Sequence, residues 1–265
     1  MERGNQYALI TGGTSGIGYE LARIFAENGY NLILVARTED DLLVTANEFT
    51  GLYGVNVIPI VKDLFQPFAA FDLYNEVKAK GVTIDILVND AGQGVYGKFI
   101  ETDIYRQLDL IQLNAASLTA LTYLFLKDMV ARNEGKILQL ASVVSEIPSP
   151  LQAVYGATKS YILSFTEALI NELKGTNVTI TALQPGATNT DFFNKAGALN
   201  SKIVKEGKLA DPRDVARDGY EALMKGDDKV VSGFKNKLNS VLSNVLPDTM
   251  LAENMKKQSE ESDKK

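Results

Sequence analysis

Tyr155 and Lys159 are four residues apart, a spacing that places a phenol and an ammonium group on one face of a helix. A free phenol has a pKa of about 10, too high for proton transfer at neutral pH. A cation at about 4 Å, with an effective dielectric constant of about 20, favours the phenolate by roughly 4 kcal/mol, or about three pKa units. The pair therefore predicts a tyrosine that works as a general acid and base. The alternative is a solvated helix face without chemistry.

A third candidate, Ser142, lies just before this pair in the chain. It follows the short apolar run Ile137–Ala141, which predicts a strand. A residue after such a strand lies at the carboxyl edge of a parallel sheet, where these sheets bind ligands. Its hydroxyl is therefore a candidate for holding the reacting oxygen.

A glycine-rich turn lies near the N-terminus. The apolar run Tyr7–Ile10 leads into Gly12, Gly16 and Gly18, and an amphipathic helix follows. Strand, glycine-rich turn and helix form the context that a dinucleotide site requires. Glycines let the backbone approach a diphosphate, and the start of the helix offers free N–H groups. The alternative is a tight turn whose glycines only adopt positive φ.

Together these features resemble the short-chain dehydrogenase/reductase family. The glycine spacing is Gly-x-x-x-Gly-x-Gly, and further family motifs recur in order over residues 5 to 235. They are Asp63-Leu64, Asn89-Asp90-Ala91-Gly92, Asn114, and Pro185-Gly186 followed by Thr190. Asp90 stands where the family more commonly has a second asparagine. Asp63 has an alternative role as the cap of a following turn.

The resemblance implies a role for each member of a tetrad. Tyr155 is the general acid in ketone reduction and the general base in alcohol oxidation. Lys159 lowers the pKa of that phenol and binds the nicotinamide ribose, while Ser142 hydrogen-bonds the substrate oxygen. Asn114 holds a water that links Lys159 to solvent, with a buried helix-kink asparagine as the alternative. The cofactor-binding residues implied are Gly12, Thr14, Ser15, Gly16, Ile17, Gly18, Arg37, Asp63, Leu64, Asn89, Ala91, Gly92, Tyr155, Lys159, Pro185, Gly186, Thr188 and Thr190.

The end of the second predicted strand indicates the cofactor. A carboxylate there would bind the ribose hydroxyl of NAD. The sequence has Ala36 and then Arg37 instead, and a guanidinium matches a phosphate in a bidentate fork. We therefore predict NADP(H). The alternatives are a surface arginine and some NAD binding through Glu39 or Asp40.

The bulk composition excludes several classes of function. The 265 residues are 45% hydrophobic with a net charge of −6, which makes a nucleic-acid partner unexpected. Without cysteine or histidine, no disulfide, thiolate site or histidine metal site is available, and no metal is predicted. The segment 1–6 is short and polar, so no signal peptide is predicted there. No apolar run is long enough for a membrane span. We expect a soluble cytoplasmic protein.

Alternating patterns predict an α/β fold. It is a single Rossmann-like domain over residues 1–255, with about seven parallel strands in a doubly wound sheet and helices on both faces, and a disordered tail at 256–265. The predicted strands are 7–11, 31–36, 55–61, 84–89, 136–141, 178–183 and 229–232. The predicted helices are 16–28, 39–50, 67–80, 102–132, 155–174 and 212–225.

Two of these helices carry apolar residues on more than one face. In the resembled family, the equivalents of 102–132 and 155–174 pair in dimers and tetramers, so a homodimer or homotetramer is expected. The alternative is that the extra apolar residues face the sheet. They are Leu118, Leu121, Leu124, Phe125, Ile162, Phe165 and Leu169.

Three loops are expected to wall the substrate: 93–99, 143–154 and a lid at 187–209. They supply an apolar surface with few polar points, which favours a nonpolar carbonyl compound, although loop-anchoring hydrophobic residues are an equal alternative. The apolar residues are Val95, Tyr96, Val144, Ile147, Leu151, Phe192 and Phe193, and the polar ones are Gln93, Glu146 and Gln152.

The sequence thus predicts an NADP(H)-dependent carbonyl reductase or alcohol dehydrogenase acting on a small, mostly apolar molecule. One alternative is a 3-oxoacyl-thioester reductase of the same family. Another is a nucleotide-binding redox regulator without catalysis. A third is an epimerase or dehydratase that uses the same tyrosine and lysine.

Overall fold

The computed structural model describes residues 4–233 and 247–262 of the chain. Three parts of the sequence predictions lie outside the described residues: residues 1–3 of the polar N-terminal segment, 234–246 of the predicted domain, and 263–265 of the predicted tail.

Seven parallel strands form one sheet in the order β3-β2-β1-β4-β5-β6-β7. The predicted Rossmann-like doubly wound sheet is therefore confirmed. The strands are β1 (Tyr7–Thr11), β2 (Asn31–Ala36), β3 (Val57–Val61), β4 (Ile84–Asn89), β5 (Gly135–Leu140), β6 (Val178–Gln184) and β7 (Lys229–Val231).

Helices connect the strands on both sides of the sheet. None of those in the described residues is long and apolar enough to cross a membrane. They are α1 (Gly16–Glu27), α2 (Glu39–Tyr53), α3 (Ala69–Ala79), α4 (Ile104–Ile111), α5 (Leu118–Arg132), α6 (Ala153–Glu172), α7 (Phe192–Ala196), α8 (Lys202–Lys205), α9 (Pro212–Lys225) and α10 (Asp248–Ser259).

The strands are mostly apolar because both faces of the sheet are covered. Along β1, Ala8 and Ile10 join the core beneath α1, which contributes Phe25. Leu9, between them, points to the opposite core and joins Phe125 of α5. Alternation of side chains along a strand produces these two cores from one sequence run.

The single helix predicted over 102–132 is three segments. A π-helical turn, Gln112–Ser117, separates α4 from α5. Turns of this kind occur mostly as single bulges within α-helices and often lie at functional sites. The buried Asn114 lies within this turn.

The strand order reverses between β1 and β4, which are neighbours although far apart in sequence. In doubly wound sheets, ligands bind outside the carboxyl ends of the strands at such a reversal. The segments after β1, β4, β5 and β6 carry the glycine loop, Asp90, Ser142 and Pro185, so the fold brings them to one edge.

The C-terminal segment differs from its prediction. Residues 256–259 complete helix α10, so they are not disordered. The Tyr96 hydroxyl donates to the Ser259 carbonyl oxygen at 2.5 Å, and the Ser262 amide donates to the Asn200 carbonyl oxygen at 2.8 Å. These contacts hold the end of the described chain against the 93–99 and 187–209 segments, which is why the polar composition alone was misleading.

Candidate functional site

The glycine loop between β1 and α1 has a backbone that side chains would obstruct. Gly12 and Gly16 have φ of 75° and 58°, in the left-handed region. A Cβ on Gly18 would lie 2.4 Å from the Gly12 carbonyl oxygen, and one on Gly16 would lie 3.0 Å from Thr190. The loop is thus open only because these residues are glycine, and it leaves the start of α1 accessible. This geometry fits a dinucleotide diphosphate.

Ser142 is positioned by the turn that follows β5. It starts a short 3₁₀ helix, Val143–Glu146, where its Oγ accepts from the Val144 amide at 3.3 Å. Its own amide donates to the Ser145 hydroxyl at 3.1 Å. Reciprocal capping of this kind fixes the hydroxyl at the edge of the sheet.

Tyr155 and Lys159 lie on the first turns of α6, on the face toward the cleft. The Lys159 ammonium nitrogen is 5.8 Å from the centre of the Tyr155 ring and donates to the Leu140 carbonyl oxygen at 2.6 Å. Burial lowers the pKa of Lys159 to about 8, while the Asp90 carboxylate acts in the opposite direction. A buried ammonium is thus held by a backbone carbonyl and feels the charge of a carboxylate.

The pKa of Tyr155 differs from the sequence prediction. Burial raises it to about 12, and a hydrogen bond with Ser142 acts in the opposite direction. Loss of solvation around the phenol dominates, so the net shift is opposite to the one expected, and a lowering of this pKa by Lys159 remains a prediction. The phenol therefore holds its proton at neutral pH.

Two predicted asparagines lie behind the cleft. The Asn89 amide nitrogen donates to Thr122 and Gln139, within the core of the sheet. The Asn114 amide nitrogen donates to the Gln93 carbonyl oxygen at 2.9 Å, and its oxygen accepts from the Gln93 amide at 3.1 Å. Its side chain thus satisfies backbone groups beside a helical irregularity, as the sequence alternative states. Its role in a water link remains a prediction.

One large cleft of about 1290 Å³ collects most of the predicted residues. Gly18, Asn89 and Asn114 do not line it. Those that do are Gly12, Thr14, Ser15, Gly16, Ile17, Arg37, Asp63, Leu64, Ala91, Gly92, Ser142, Tyr155, Lys159, Pro185, Gly186, Thr188 and Thr190.

At one end of the cleft, the Arg37 guanidinium lies over the Phe65 ring, 5.2 Å from its centre. Lys62 lines the same cleft and forms an ion pair with Glu76 at 3.3 Å. Among the acidic residues at the start of α2, Asp41 lines the cleft, whereas Glu39 and Asp40, the predicted ones, do not.

At the other end, Gln93, Val144, Ile147, Gln152, Phe192 and Phe193 line the cleft as predicted. Val95, Tyr96, Glu146 and Leu151 do not. The Glu146 carboxylate instead accepts a hydrogen bond from the Gln184 side chain at 3.2 Å, behind the turn that carries Ser142.

Helix α10 supplies part of the cleft wall and is absent from the sequence predictions. Its apolar residues Leu251 and Met255 are four apart and share one face. A proline before the helix, an acidic first turn and lysines in the last turn are the signals that could have identified it. Asn254, Gln258 and Ser259 add polar atoms to the same wall.

Comparison with known proteins agrees with this geometry. A sequence model described as short chain dehydrogenase matches residues 6–200. A very-long-chain 3-oxoacyl-CoA reductase of Bos taurus is 33% identical over 187 residues, covering 68% of this chain and 58% of that protein. A probable NADP-dependent dehydrogenase of Haemophilus influenzae is 29% identical over 215 residues, covering 79% and 84%.

A solved short-chain dehydrogenase from Sphingobium yanoikuyae, in complex with NADPH, superposes with a TM-score of 0.80. It is 25% identical, and the match covers 98% of this chain and 100% of that one. The first curated relatives are longer, and the match spans 58–63% of their length. The sheet, the glycine loop, the cleft and these matches have one explanation: the chain belongs to the short-chain dehydrogenase family.

Proposed function

We propose that this chain is an NADP(H)-dependent oxidoreductase that transfers hydride between nicotinamide and a mostly apolar carbonyl or alcohol. The observation that carries the proposal is that Ser142, Tyr155 and Lys159 line the same cleft as the open glycine loop. A dinucleotide whose diphosphate lies at the start of α1 and a substrate beside Tyr155 would therefore share one cavity. The solved relative with NADPH and the relative named NADP-dependent support the choice of cofactor.

The proposed chemistry divides between cofactor and protein. A bound reduced nicotinamide supplies the hydride. Tyr155 donates its phenolic proton to the substrate oxygen, and Ser142 holds that oxygen by a hydrogen bond. Lys159 provides positive charge beside both groups and hydrogen-bonds the nicotinamide ribose.

The protonation state of Tyr155 suits reduction better than oxidation. With a pKa raised to about 12 by burial, the phenol is an acid at neutral pH and lacks the charge needed for a base. Oxidation of an alcohol would require its deprotonation, so it should accelerate as pH rises. We therefore propose that at neutral pH Tyr155 is already in the protonated form that carbonyl reduction needs.

A screen tests the proposed function. The protein would be mixed with NADPH and a broad panel of ketones, aldehydes and 3-oxoacyl thioesters, and loss of the reduced nicotinamide absorption would be followed. We expect turnover with at least one apolar carbonyl compound. Tight NADPH binding without turnover of any member would favour the redox regulator instead.

A second candidate is a 3-oxoacyl-thioester reductase, which the relatives named very-long-chain 3-oxoacyl-CoA reductase favour. One side chain also supports it. The Gln152 amide nitrogen is closed to solvent, and it has no hydrogen-bond partner among the described residues although the residue lines the cleft. A buried unsatisfied donor is costly, and a second carbonyl oxygen of the substrate would satisfy it.

Replacing Gln152 with leucine separates the two candidates. Loss of a hydrogen bond to a buried acceptor is worth about 1–3 kcal/mol, and each 1.4 kcal/mol is tenfold. We expect kcat/KM for a 3-oxoacyl thioester to fall about tenfold or more, while a simple ketone of similar size is reduced at an unchanged rate. An equal loss for both substrates would refute the second-carbonyl contact.

We also propose a homodimer or homotetramer. Four of the residues behind this expectation, Leu118, Leu121, Phe125 and Ile162, are buried within the subunit, so they face the sheet after all. Other apolar side chains of α4 are exposed instead: Ile104 by 50%, Tyr105 by 75%, Leu108 by 54% and Ile111 by 44%. An apolar stripe of this extent is typical of an interface.

The purified protein should therefore elute well above its 28.9 kDa subunit mass at micromolar concentration. Leu108→Lys should shift it toward the monomer, because a charge in an apolar interface is poorly solvated. The matched control is Leu52→Lys on α2, where the leucine is 66% exposed. A clean monomer by light scattering for the unmodified protein would refute the assembly.

A further inference from the structure

Asp90 follows β4 directly and lies against the glycine loop. A Cβ placed on Gly12 would be 3.0 Å from its Oδ2, and one on Gly18 would be 2.4 Å from the same atom. The other oxygen, Oδ1, is closed to solvent and has no hydrogen-bond partner among the described residues, although part of the residue borders the cleft. Asp90 is thus an acidic group with one oxygen on the loop and the other unsatisfied.

Three influences act on this carboxyl group. Burial is the largest and raises the pKa of Asp90 to about 7. The Lys159 ammonium and a hydrogen bond from the Gly18 backbone N–H act in the opposite direction. Asp90 therefore changes charge close to neutral pH, unlike an ordinary carboxyl group.

Other ionisable groups lie on the elements around Asp90 and along the cleft. From α6, Lys159 and Tyr155 face the cleft, and Tyr155 is neutral at this pH. From α1, the nearest acid is Glu20, which is paired with Arg23 at 2.8 Å and Arg213 at 3.4 Å. The other ionisable residues that line the cleft are Arg37, Asp41, Lys62, Asp63, Asp191, Lys195 and Lys208.

The position of Asp90 conflicts with a bound diphosphate. Backbone N–H groups at the start of α1 are the groups that would hold that anion. Asp90 already accepts from one of them, at Gly18. Two anions at one helix terminus repel each other, and a nearby like charge favours the neutral form of a carboxyl group. Binding of the diphosphate should therefore favour protonation of Asp90.

We propose that Asp90 takes up one proton from solvent when a dinucleotide diphosphate binds at the start of α1, so that cofactor affinity depends on pH through a residue outside the hydride-transfer step. The carboxylate and the incoming proton form one O–H bond, and nothing is oxidised or reduced. The inference rests on the proposed function only in requiring that the chain bind a dinucleotide.

Infrared difference spectroscopy of the full-length protein tests this directly. The measurement is made on adding NADP⁺ at about pH 8, where a group with a pKa of about 7 is mostly ionised in the free protein. We expect a carbonyl band of a protonated carboxylic acid to appear on binding. The band should be absent in Asp90→Asn, which has nearly the same shape, and present in Asp191→Asn, which removes an acid of the cleft outside the predicted cofactor-binding set.

Affinity provides a second readout when the unmodified protein is compared with Asp90→Asn. The dissociation constant of the unmodified protein for NADPH should rise by up to about tenfold per pH unit above about pH 7. The rise should be smaller in Asp90→Asn, where only Lys159, with a pKa of about 8, still loses its charge in this range. A bound nucleotide without the acid band, or a band that persists in Asp90→Asn, would overturn the proposal. Failure of the unmodified protein to bind any dinucleotide would instead remove the proposed function, and this inference with it.

Discussion

Replacing Tyr155 with phenylalanine should lower kcat by about 10²–10⁴-fold, the usual contribution of a positioned general acid. The phenol contacts Ser142 and lies beside Lys159, and phenylalanine removes only the hydroxyl. The ring contact with Phe192, 5.1 Å between ring centres, can remain. We therefore expect cofactor affinity to change little. Steady-state kinetics and a nucleotide titration of the same sample measure both.

The matched control lies on the same helix. Tyr161 is 42% exposed, and its hydroxyl is hydrogen-bonded to Thr119 at 2.8 Å, away from the cleft. Tyr161→Phe should leave turnover nearly unchanged. Wild-type turnover in Tyr155→Phe, with Tyr161→Phe as a valid reference, would remove Tyr155 from the chemistry.

Changing Arg37 should have the second largest effect. A charge-assisted hydrogen bond to the 2′-phosphate is worth about 1.5–3 kcal/mol, so NADPH should bind roughly ten- to a hundredfold better than NADH. Arg37→Ala should weaken NADPH binding by about that factor and barely change NADH binding. The Phe65 ring beneath the guanidinium keeps it at the cleft, which supports this role over that of a free surface arginine.

The reverse change tests the same end of the cleft. Ala36→Asp should shift preference toward NADH, because a carboxylate accepts from the ribose hydroxyl and repels a phosphate. Arg217→Ala is the matched control, since this exposed arginine of α9 pairs with Asp214 outside the cleft. Dissociation constants should be compared at one salt concentration because salt screens such contacts. Equal affinity of the unmodified protein for both cofactors would refute the NADP assignment.

Features that depend on short-range sequence patterns could be predicted. Apolar runs bounded by turns located all seven strands to within about two residues. Strands that are buried on both faces have near-continuous apolar sequences, which are easy to recognise. The glycine loop could also be predicted from the sequence, since only glycine fits the close approach of Gly18 to the Gly12 carbonyl oxygen. Parallel topology then requires Ser142 and Pro185 to meet that loop at one edge.

The rest depends on burial and long-range contacts that spacing does not encode. The Tyr155–Lys159 spacing was correct, yet the phenol pKa moves upward because solvent is excluded around it. Helix α10 carries local signals, but its place in the cleft wall could not be predicted, since it depends on contacts with Tyr96 and Asn200, which are distant in sequence. Asp90 looked like a minor departure from a motif, because the sequence does not show its burial, its hydrogen bond from Gly18 or the charge of Lys159 that acts on it.

The most direct test of the proposed hydride transfer is to follow the hydride from the cofactor to the product. Full-length protein would be given NADPH deuterated at the transferable position of the nicotinamide ring, together with a carbonyl substrate from the screen. We expect deuterium on the former carbonyl carbon of the alcohol product, formed rapidly by the unmodified protein and far more slowly by Tyr155→Phe. Alcohol formed without deuterium on that carbon from cofactor labelled on either face, or at the same rate in both proteins, would contradict it.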